Sequence, residues 1–250
     1  MGDTNAVAGP GHYQWLAFNS PLSNERAGRL AAALAGTGPR RVLDLGCGWG
    51  ELLLRVLAAA PQATGIGVDT DARSLTRGRA NAVARGLDGR VTFVEGSADA
   101  SHETADVLVC VGASHAFGDT SAALRALRAL VRPGGRLLFG EAFWERTPTA
   151  EQAAGLGPGA TPEDFTNLAG LVDLAVAAGF RPLQIESANR DEWEEFESGY
   201  LLDWEDWLVR HGDQPEAVGI RARADEHRTG WLRGYRDVLG FAYLTLGVPA

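Results

Sequence analysis

Gly46, Gly48 and Gly50 stand at alternate positions between a short apolar run, Val42 to Leu45, and a helix-forming stretch that starts at Glu51. That spacing suits one kind of chemistry. Backbone N–H groups at a helix N-terminus can lie against a ligand with no side chain in the way. Asp44 precedes the turn and Cys47 lies within it. A second acid, Asp69, closes a second apolar run and is followed by Thr70; a carboxylate at that place can take both hydroxyls of a ribose. Two groups could move a proton. His115 and Glu141 each stand at the end of a later apolar run, and a neutral imidazole accepts a hydroxyl proton near physiological pH. His12 and Tyr13 are weaker candidates, and the histidines show no metal-ligand spacing.

The elements that must position these groups alternate. Strands are expected at 41–45, 63–68, 90–94, 105–111, 136–141, 181–188 and 241–246, with helices at about 50–60, 71–85, 119–131 and from Thr161 to near Gly179. Pro61 breaks the first of these helices, and Arg132, Pro133, Gly134 and Gly135 read as a turn. Thr161, Pro162, Glu163 and Asp164 read as a helix start. Strands alternating with helices imply a parallel sheet with right-handed crossovers. The fold class is α/β, Rossmann-like, in a single domain spanning 1–250. Residues 1–38 form an N-terminal arm and helix, with residues 1–11 expected to fray. Residues 191–238 form a helical insert between the sixth and seventh strands. Trp193, Phe196, Tyr200, Trp204 and Trp207 recur on that insert at helical spacing, which reads either as core packing or as an aromatic lid over a pocket.

Composition narrows the partners. The 250 residues carry a net charge of -9, and the bases are arginines scattered along the chain. Such a protein is poorly suited to a phosphate backbone, so no nucleic-acid partner is expected. No apolar run reaches transmembrane length and the first residues lack a signal-peptide pattern, so neither a membrane partner nor export is expected. Cys47 and Cys110 are too few for a disulfide framework, which fits a reduced, cytoplasmic setting. Oligomeric state is open between monomer and homodimer.

The run from Val42 to Gly50, with Gly67, Val68 and Asp69 beyond it, resembles the class I S-adenosylmethionine-dependent methyltransferases, in particular those acting on small molecules. The dinucleotide fingerprint fits less well, since Glu51 stands where a third glycine is required. The resemblance implies a seven-stranded sheet with helices on both faces, its last strand inserted antiparallel between the fifth and sixth. It implies S-adenosyl-L-methionine as cofactor. The backbone from Gly46 through Cys47 and Gly48 to Gly50 would lie along its methionine part, Asp44 would bind the amino group, and Asp69 with Thr70 would hold the ribose. Ser97, Ala98 and Asp99 would sit at the adenine; relatives often carry an acid where Ser97 stands, and Asp99 is the acid at hand. Gly112 would border the sulfonium. His115, close to the transferred methyl, is the first candidate for a general base and Glu141 the second. The acceptor is then a small molecule methylated at oxygen or nitrogen. Gly112 to His115 lacks the Asn/Asp-Pro-Pro-Tyr pattern of amide and base methylation and offers no acid pair for magnesium. A NAD(P)-dependent oxidoreductase and a non-catalytic cofactor-binding protein of the same fold are the alternatives.

Overall fold

The computed structural model describes residues 9–250, so most of the expected frayed leader lies outside the described residues. Helix α1 spans Asn24–Ala35. The Ser23 hydroxyl accepts the Arg26 N–H to cap it, and Ala27, Leu30, Ala31 and Leu34 bury one face at helical spacing. Strand β1 (Arg41–Leu45) is buried from Val42 onward and leads through the glycine turn into α2 (Glu51–Ala59). Strand β2 (Thr64–Asp69) is followed by α3 (Ala72–Ala84), whose cap, Asp71, accepts the N–H groups of Arg73 and Ser74. Strand β3 is Val91–Glu95 and β4 is Ala105–Val111. Helix α4 (Thr120–Leu130) is capped by Asp119 and joins β5 (Val131–Trp144). A short α5 (Ala150–Ala154), α6 (Leu168–Ala177) and β6 (Arg181–Ser187) follow. Helices α7 (Arg190–His211) and α8 (Ala217–Thr229) and a π-turn (Gly230–Tyr235) then precede β7 (Leu239–Gly247).

The strand order is β3-β2-β1-β4-β5-β7-β6, with β7 antiparallel to both neighbours and the other pairs parallel. The order reverses between β1 and β4. That is the switch point where an open α/β sheet leaves a crevice beyond its carboxyl ends. Leu30, Leu53 and Leu75 from α1, α2 and α3 pack one face of the sheet, and Leu124, Leu127 and Leu171 from α4 and α6 pack the other.

Three expectations need correction. Pro133, Gly134 and Gly135 do not end a turn ahead of a six-residue strand; β5 runs 14 residues, and its far half pairs with β7 from Gly140–Tyr243 to Trp144–Leu239. The Thr161 start signal produces only one 3₁₀ turn, Pro162–Asp164. The helix proper begins at Leu168 because Asn167 accepts the Gly170 N–H and supplies a better-placed cap. Residues 150–154 form a helix where none was expected, closed by a capping box between Thr149 and Gln152.

One joint outside the sheet binds the N-terminal segment to the insert. The Glu192 carboxylate in the first turn of α7 accepts the Ser23 N–H (3.0 Å) and hydroxyl (2.7 Å), Arg26 Nε (2.9 Å) and a terminal Arg26 nitrogen (2.8 Å). Asn189 N–H donates to it as well, at 2.9 Å.

Candidate functional site

A cavity of about 490 Å³ opens at the carboxyl ends of β1, β2 and β4, at the switch point. Its floor is the glycine turn. Gly46 and Cys47 both donate their N–H to the Val68 carbonyl, at 2.9 and 3.0 Å, which ties the turn to β2. Gly46 has φ +74°, and a Cβ there would lie 2.2 Å from the Ala113 methyl, so only glycine lets the loop after β4 close against the turn. Gly48 and Gly112 differ: a Cβ on either would meet nothing within 4 Å. Their backbones face open space that a ligand could fill. Beneath the turn, the Phe93 ring occupies the room that side chains at Gly50 and Gly78 would need, where a Cβ would lie 2.5 and 2.9 Å from it, and a Cβ at Gly67 would meet it at 3.1 Å.

Of the residues singled out by sequence, Asp44, Gly46, Cys47, Gly48, Asp69 and Thr70 line this cavity, as do Ser97, Ala98, Gly112 and His115. Asp99 and Glu141 do not. Asp99 is turned toward the Ser97 hydroxyl, which donates to it. Glu141 is buried on β5. Its Oε1 accepts the Ala142 N–H at 3.0 Å and its Oε2 has no hydrogen-bond partner. Burial pushes its pKa up, against the Ser114 hydroxyl, the Ala142 N–H and the charge of His115, which favour the ionised form.

Two carboxylates dominate the electrostatics. Asp69 Oδ2 accepts the Gly48 N–H at 2.7 Å and Oδ1 the Asp71 N–H at 2.9 Å. Asp44 is buried and is pushed up to about 8, first by burial and then by the charge of Asp69, with only the Leu53 N–H opposing. The Cys47 thiol is pushed up as well, by burial and then by Asp44 and Asp69, so it is no nucleophile here. Glu51, the residue that replaces a third glycine, is held by Arg55 (2.8 Å) and Arg85 (2.7 Å).

The sequence reading gave the arm within 1–38 but did not single out Phe18, Asn19 and Ser20, which form the cavity's upper wall. The only signal for it was the density of aromatic residues ahead of α1. The arm is fixed in place: Trp49 Nε1–H donates to the Ala17 carbonyl at 2.8 Å, and the Arg77 guanidinium donates to the Tyr13 and Leu16 carbonyls at 2.7 Å each while lying 4.1 Å from the Trp49 ring. Tyr13 has φ +53°, the one positive value of a non-glycine residue among those described. The aromatic stripe of the insert does not line the cavity. Trp193, Phe196, Tyr200 and Trp204 follow one another with ring separations of 6.2, 6.4 and 5.2 Å, and Tyr200 reaches the arm through Tyr13 at 5.5 Å. Trp207 packs with Ala217 and Ile220, and Trp204 packs against that cluster too.

Comparison with known proteins agrees with this geometry. Residues 43–137 match a family described as a methyltransferase domain. The crystal structure of a SAM-dependent methyltransferase from Geobacter sulfurreducens, in complex with S-adenosyl-L-homocysteine, is similar at 29% identity and a TM-score of 0.83, over 93% of this chain and 94% of that one. A SAM-dependent methyltransferase from Thiobacillus denitrificans, in the same kind of complex, is similar at 30% identity and a TM-score of 0.81, over 92% and 93% of the two chains. An uncharacterized Escherichia coli protein, YjhP, is 28% identical over 92% of this chain and 93% of its own length. The chain belongs to the S-adenosylmethionine-dependent methyltransferases, and S-adenosylmethionine is its cofactor. Among the described residues, no helix is long and apolar enough to cross a membrane.

Proposed function

We propose that this methyltransferase acts on a small molecule, at oxygen or nitrogen, with His115 as the general base for an oxygen acceptor. The cavity fits the cofactor: the bare backbones of Gly48 and Gly112 leave room for it, and carboxylates suited to an amine and a ribose stand at the tips of β1 and β2. Asp44 would hold the amino group, Asp69 and Thr70 the ribose, and Ser97 and Ala98 the adenine. When bound, the cofactor supplies an electrophilic methyl group on a sulfonium. The protein's own work is then to orient the acceptor, exclude water and take a proton. The arm wall of Phe18, Asn19 and Ser20 narrows the entrance, which favours a small acceptor over a macromolecule, and the acidic net charge of -9 disfavours a polyanion. The helices of 191–238 act as a lid through their contact with the arm.

One observation carries the assignment of the base: His115 lines the cavity at the tip of β4, three residues beyond Gly112, while Glu141 is withdrawn beneath that loop. An acceptor is found by incubating the protein and S-adenosylmethionine with a metabolite extract and reading a mass gain of one methyl. With it, His115→Ala should lower kcat by roughly 10²–10⁴-fold while cofactor affinity holds, and the wild-type rate should fall on an acidic limb that the variant lacks. A variant with the full rate and the same limb excludes His115 and brings Glu141 forward. A neutral amine acceptor would make the loss much smaller, because positioning then suffices.

A further inference from the structure

Four rings form a column across the joint between the arm and the insert. His12 lies 4.3 Å from Tyr13, Tyr13 lies 5.5 Å from Tyr200, and Tyr200 is stacked on His227 at 4.7 Å with 25° between the planes. Each end of the column rests on a carboxylate. His12 Nε2 is 2.9 Å from Oδ2 of Asp71, the cap of α3, and His227 Nε2 is 2.7 Å from Glu197 Oε2. The two ends differ in burial. The His12 pair is exposed, whereas the Glu197 side chain is 3% exposed. Its other oxygen accepts the Tyr235 hydroxyl at 2.7 Å, a neutral donor. A buried carboxylate so placed is completed better by an imidazolium than by a neutral imidazole.

The column holds a strained residue. Tyr13 has φ +53°, which costs a bulky side chain free energy and persists only where its surroundings impose it. Arg77 of α3 grips its carbonyl at 2.7 Å and Tyr200 of α7 meets its ring. The same face of α7 receives the rest of this part of the arm. A Cβ on Gly199 would lie 2.5 Å from the Leu16 side chain, and Asp203 Oδ2 accepts the Gln14 N–H at 3.2 Å. Phe18, Asn19 and Ser20, the cavity's upper wall, follow directly in the chain.

The charged groups around His227 are paired with one another. On α8, Arg228 is taken by Glu205 of α7 and by Asp225, and Arg236, just after the π-turn, is taken by Glu194 of α7. Burial, then Tyr13, raises the Tyr200 hydroxyl to about 12; burial, then Glu197, raises that of Tyr235 as well, so both stay neutral. Trp204, edge-on to the imidazole at 6.2 Å, carries no charge. Histidine is the side chain that gains charge between pH 5 and 8.

We propose that His227 and Glu197 form a proton-operated clasp on the arm. With His227 charged, its ion pair with Glu197 and its cationic face on the Tyr200 ring hold Tyr200 against Tyr13, the arm stays closed, and bound cofactor is retained. Loss of that proton loosens the arm and speeds release. The proposal rests on the reading of the 191–238 helices as a lid.

The test reads hydrogen exchange of residues 12–17 in the full chain, as protection factors at about pH 5.5 and about pH 8, together with the dissociation rate of S-adenosylhomocysteine at both values. In wild type the arm should be about 5–20-fold better protected at the lower pH, within the limit of about tenfold per unit for one proton, and S-adenosylhomocysteine should leave more slowly by a similar factor. His227→Gln, which can still donate to Glu197, should abolish the pH dependence of arm protection. Tyr200→Leu, which keeps the pair but removes the ring that carries it to the arm, should abolish it too. His12→Gln should keep it, since its pair with Asp71 is exposed. His115 lines the cavity and can add a pH dependence of its own to release, so the readout there is the part that His227→Gln removes. Equal arm protection at both pH values in wild type overturns the proposal. So does a dependence that survives His227→Gln, one that His12→Gln abolishes, or S-adenosylhomocysteine release that is the same in wild type and His227→Gln. If His227→Gln does not fold by circular dichroism, Tyr200→Leu decides. Saturation with S-adenosylhomocysteine separates the clasp from the lid reading. No gain of protection in the arm or in 191–238 at either pH sinks the lid and the clasp with it, whereas an equal gain at both sinks the clasp alone.

Discussion

Glu192 at the joint between α1 and α7 and Asp44 at the floor of the cavity are buried to the same degree, each 3% exposed, and they behave in opposite ways. Burial pushes both upward. At Glu192 the Arg26 guanidinium, the Asn189 N–H and the Ser23 hydroxyl and N–H override it and bring the carboxyl down to about 2. At Asp44 only one N–H opposes, Asp69 adds to the rise, and the carboxyl ends near 8. The same chemical group is thus a structural clamp in one region and a charge held in reserve in the other. The partners decide which, and they come from elements far apart in the chain: Ser23 and Arg26 lie well over 100 residues before Glu192 in sequence.

The largest effect that would test this contrast is at the joint. Glu192→Ala takes the bidentate partner from Arg26, which keeps only Glu186 at 2.6 Å, and leaves the Ser23 N–H unpaired; it should cost about 3 kcal/mol in urea unfolding, the low end of the range for a broken buried pair. Because Glu192 is depressed, its contribution is present above the unfolded value near 4.3 and lost as pH falls toward about 2; wild type should show that acid-limb loss and Glu192→Gln should lack it. A variant as stable as wild type would remove the clamp from the comparison.

At the cavity the sign reverses. Asp44 is raised, so between about pH 4 and 8 the folded protein keeps a proton that the unfolded chain has released, and stability falls as pH rises across that window. Asp44→Asn should remove that slope and stabilise the ligand-free protein at pH 8 by about 3 kcal/mol, roughly half of what the full shift implies, since water enters the cavity. Parallel pH–stability profiles for variant and wild type would sink the contrast. Next in size, Asp69→Ala should weaken S-adenosylhomocysteine by roughly 1.5–3 kcal/mol in calorimetry. The same variant should also flatten the slope assigned to Asp44, since Asp69 is one of its causes.

The smallest expected effect comes from a third carboxylate that resembles Glu192 in value but not in setting. Asp71 is also brought down to about 2; burial opposes, and the Ser74 hydroxyl, His12 and two N–H groups prevail. Its side chain is 37% exposed, so screening removes most of what the ion pair with His12 could add. Asp71→Ala should cost about 1 kcal/mol, the value of a lost helix cap, and His12→Ala close to nothing. A large effect of His12→Ala would show that exposure matters less than the contrast supposes.

Local rules made much of the fold legible. The apolar runs of β1, β2 and β4 and the glycine turn are all decided by neighbours within a few residues, and their reading holds to within a residue or two. The far half of β5 was hidden because its residues are strand only by pairing with β7, about 100 positions later. Thr161 failed as a helix start because Asn167, six residues on, caps more effectively before the apolar stretch. At the site, the strand-tip residues were legible because topology places them. Asp99 was read toward the cavity, yet its carboxylate turns to Ser97, a local hydrogen bond that strand-tip logic does not register. The opposed protonation of Glu192 and Asp44 has no local signal at all.

The Phe93 ring under the glycine turn ties substitutions at distant positions together. An extra methyl at Gly78, in the middle of α3, would favour the helix by about 1 kcal/mol in isolation. In place it would meet the ring at 2.9 Å. Gly78→Ala is therefore a collision on two sides: Phe93→Leu would relieve the ring, but the Trp49 carbonyl oxygen, 3.0 Å from such a Cβ, is backbone and stays. A lineage of this chain that lost the phenylalanine would still find Gly78 closed, and a laboratory selection for thermostability should leave Gly78 unchanged even where Phe93 is replaced.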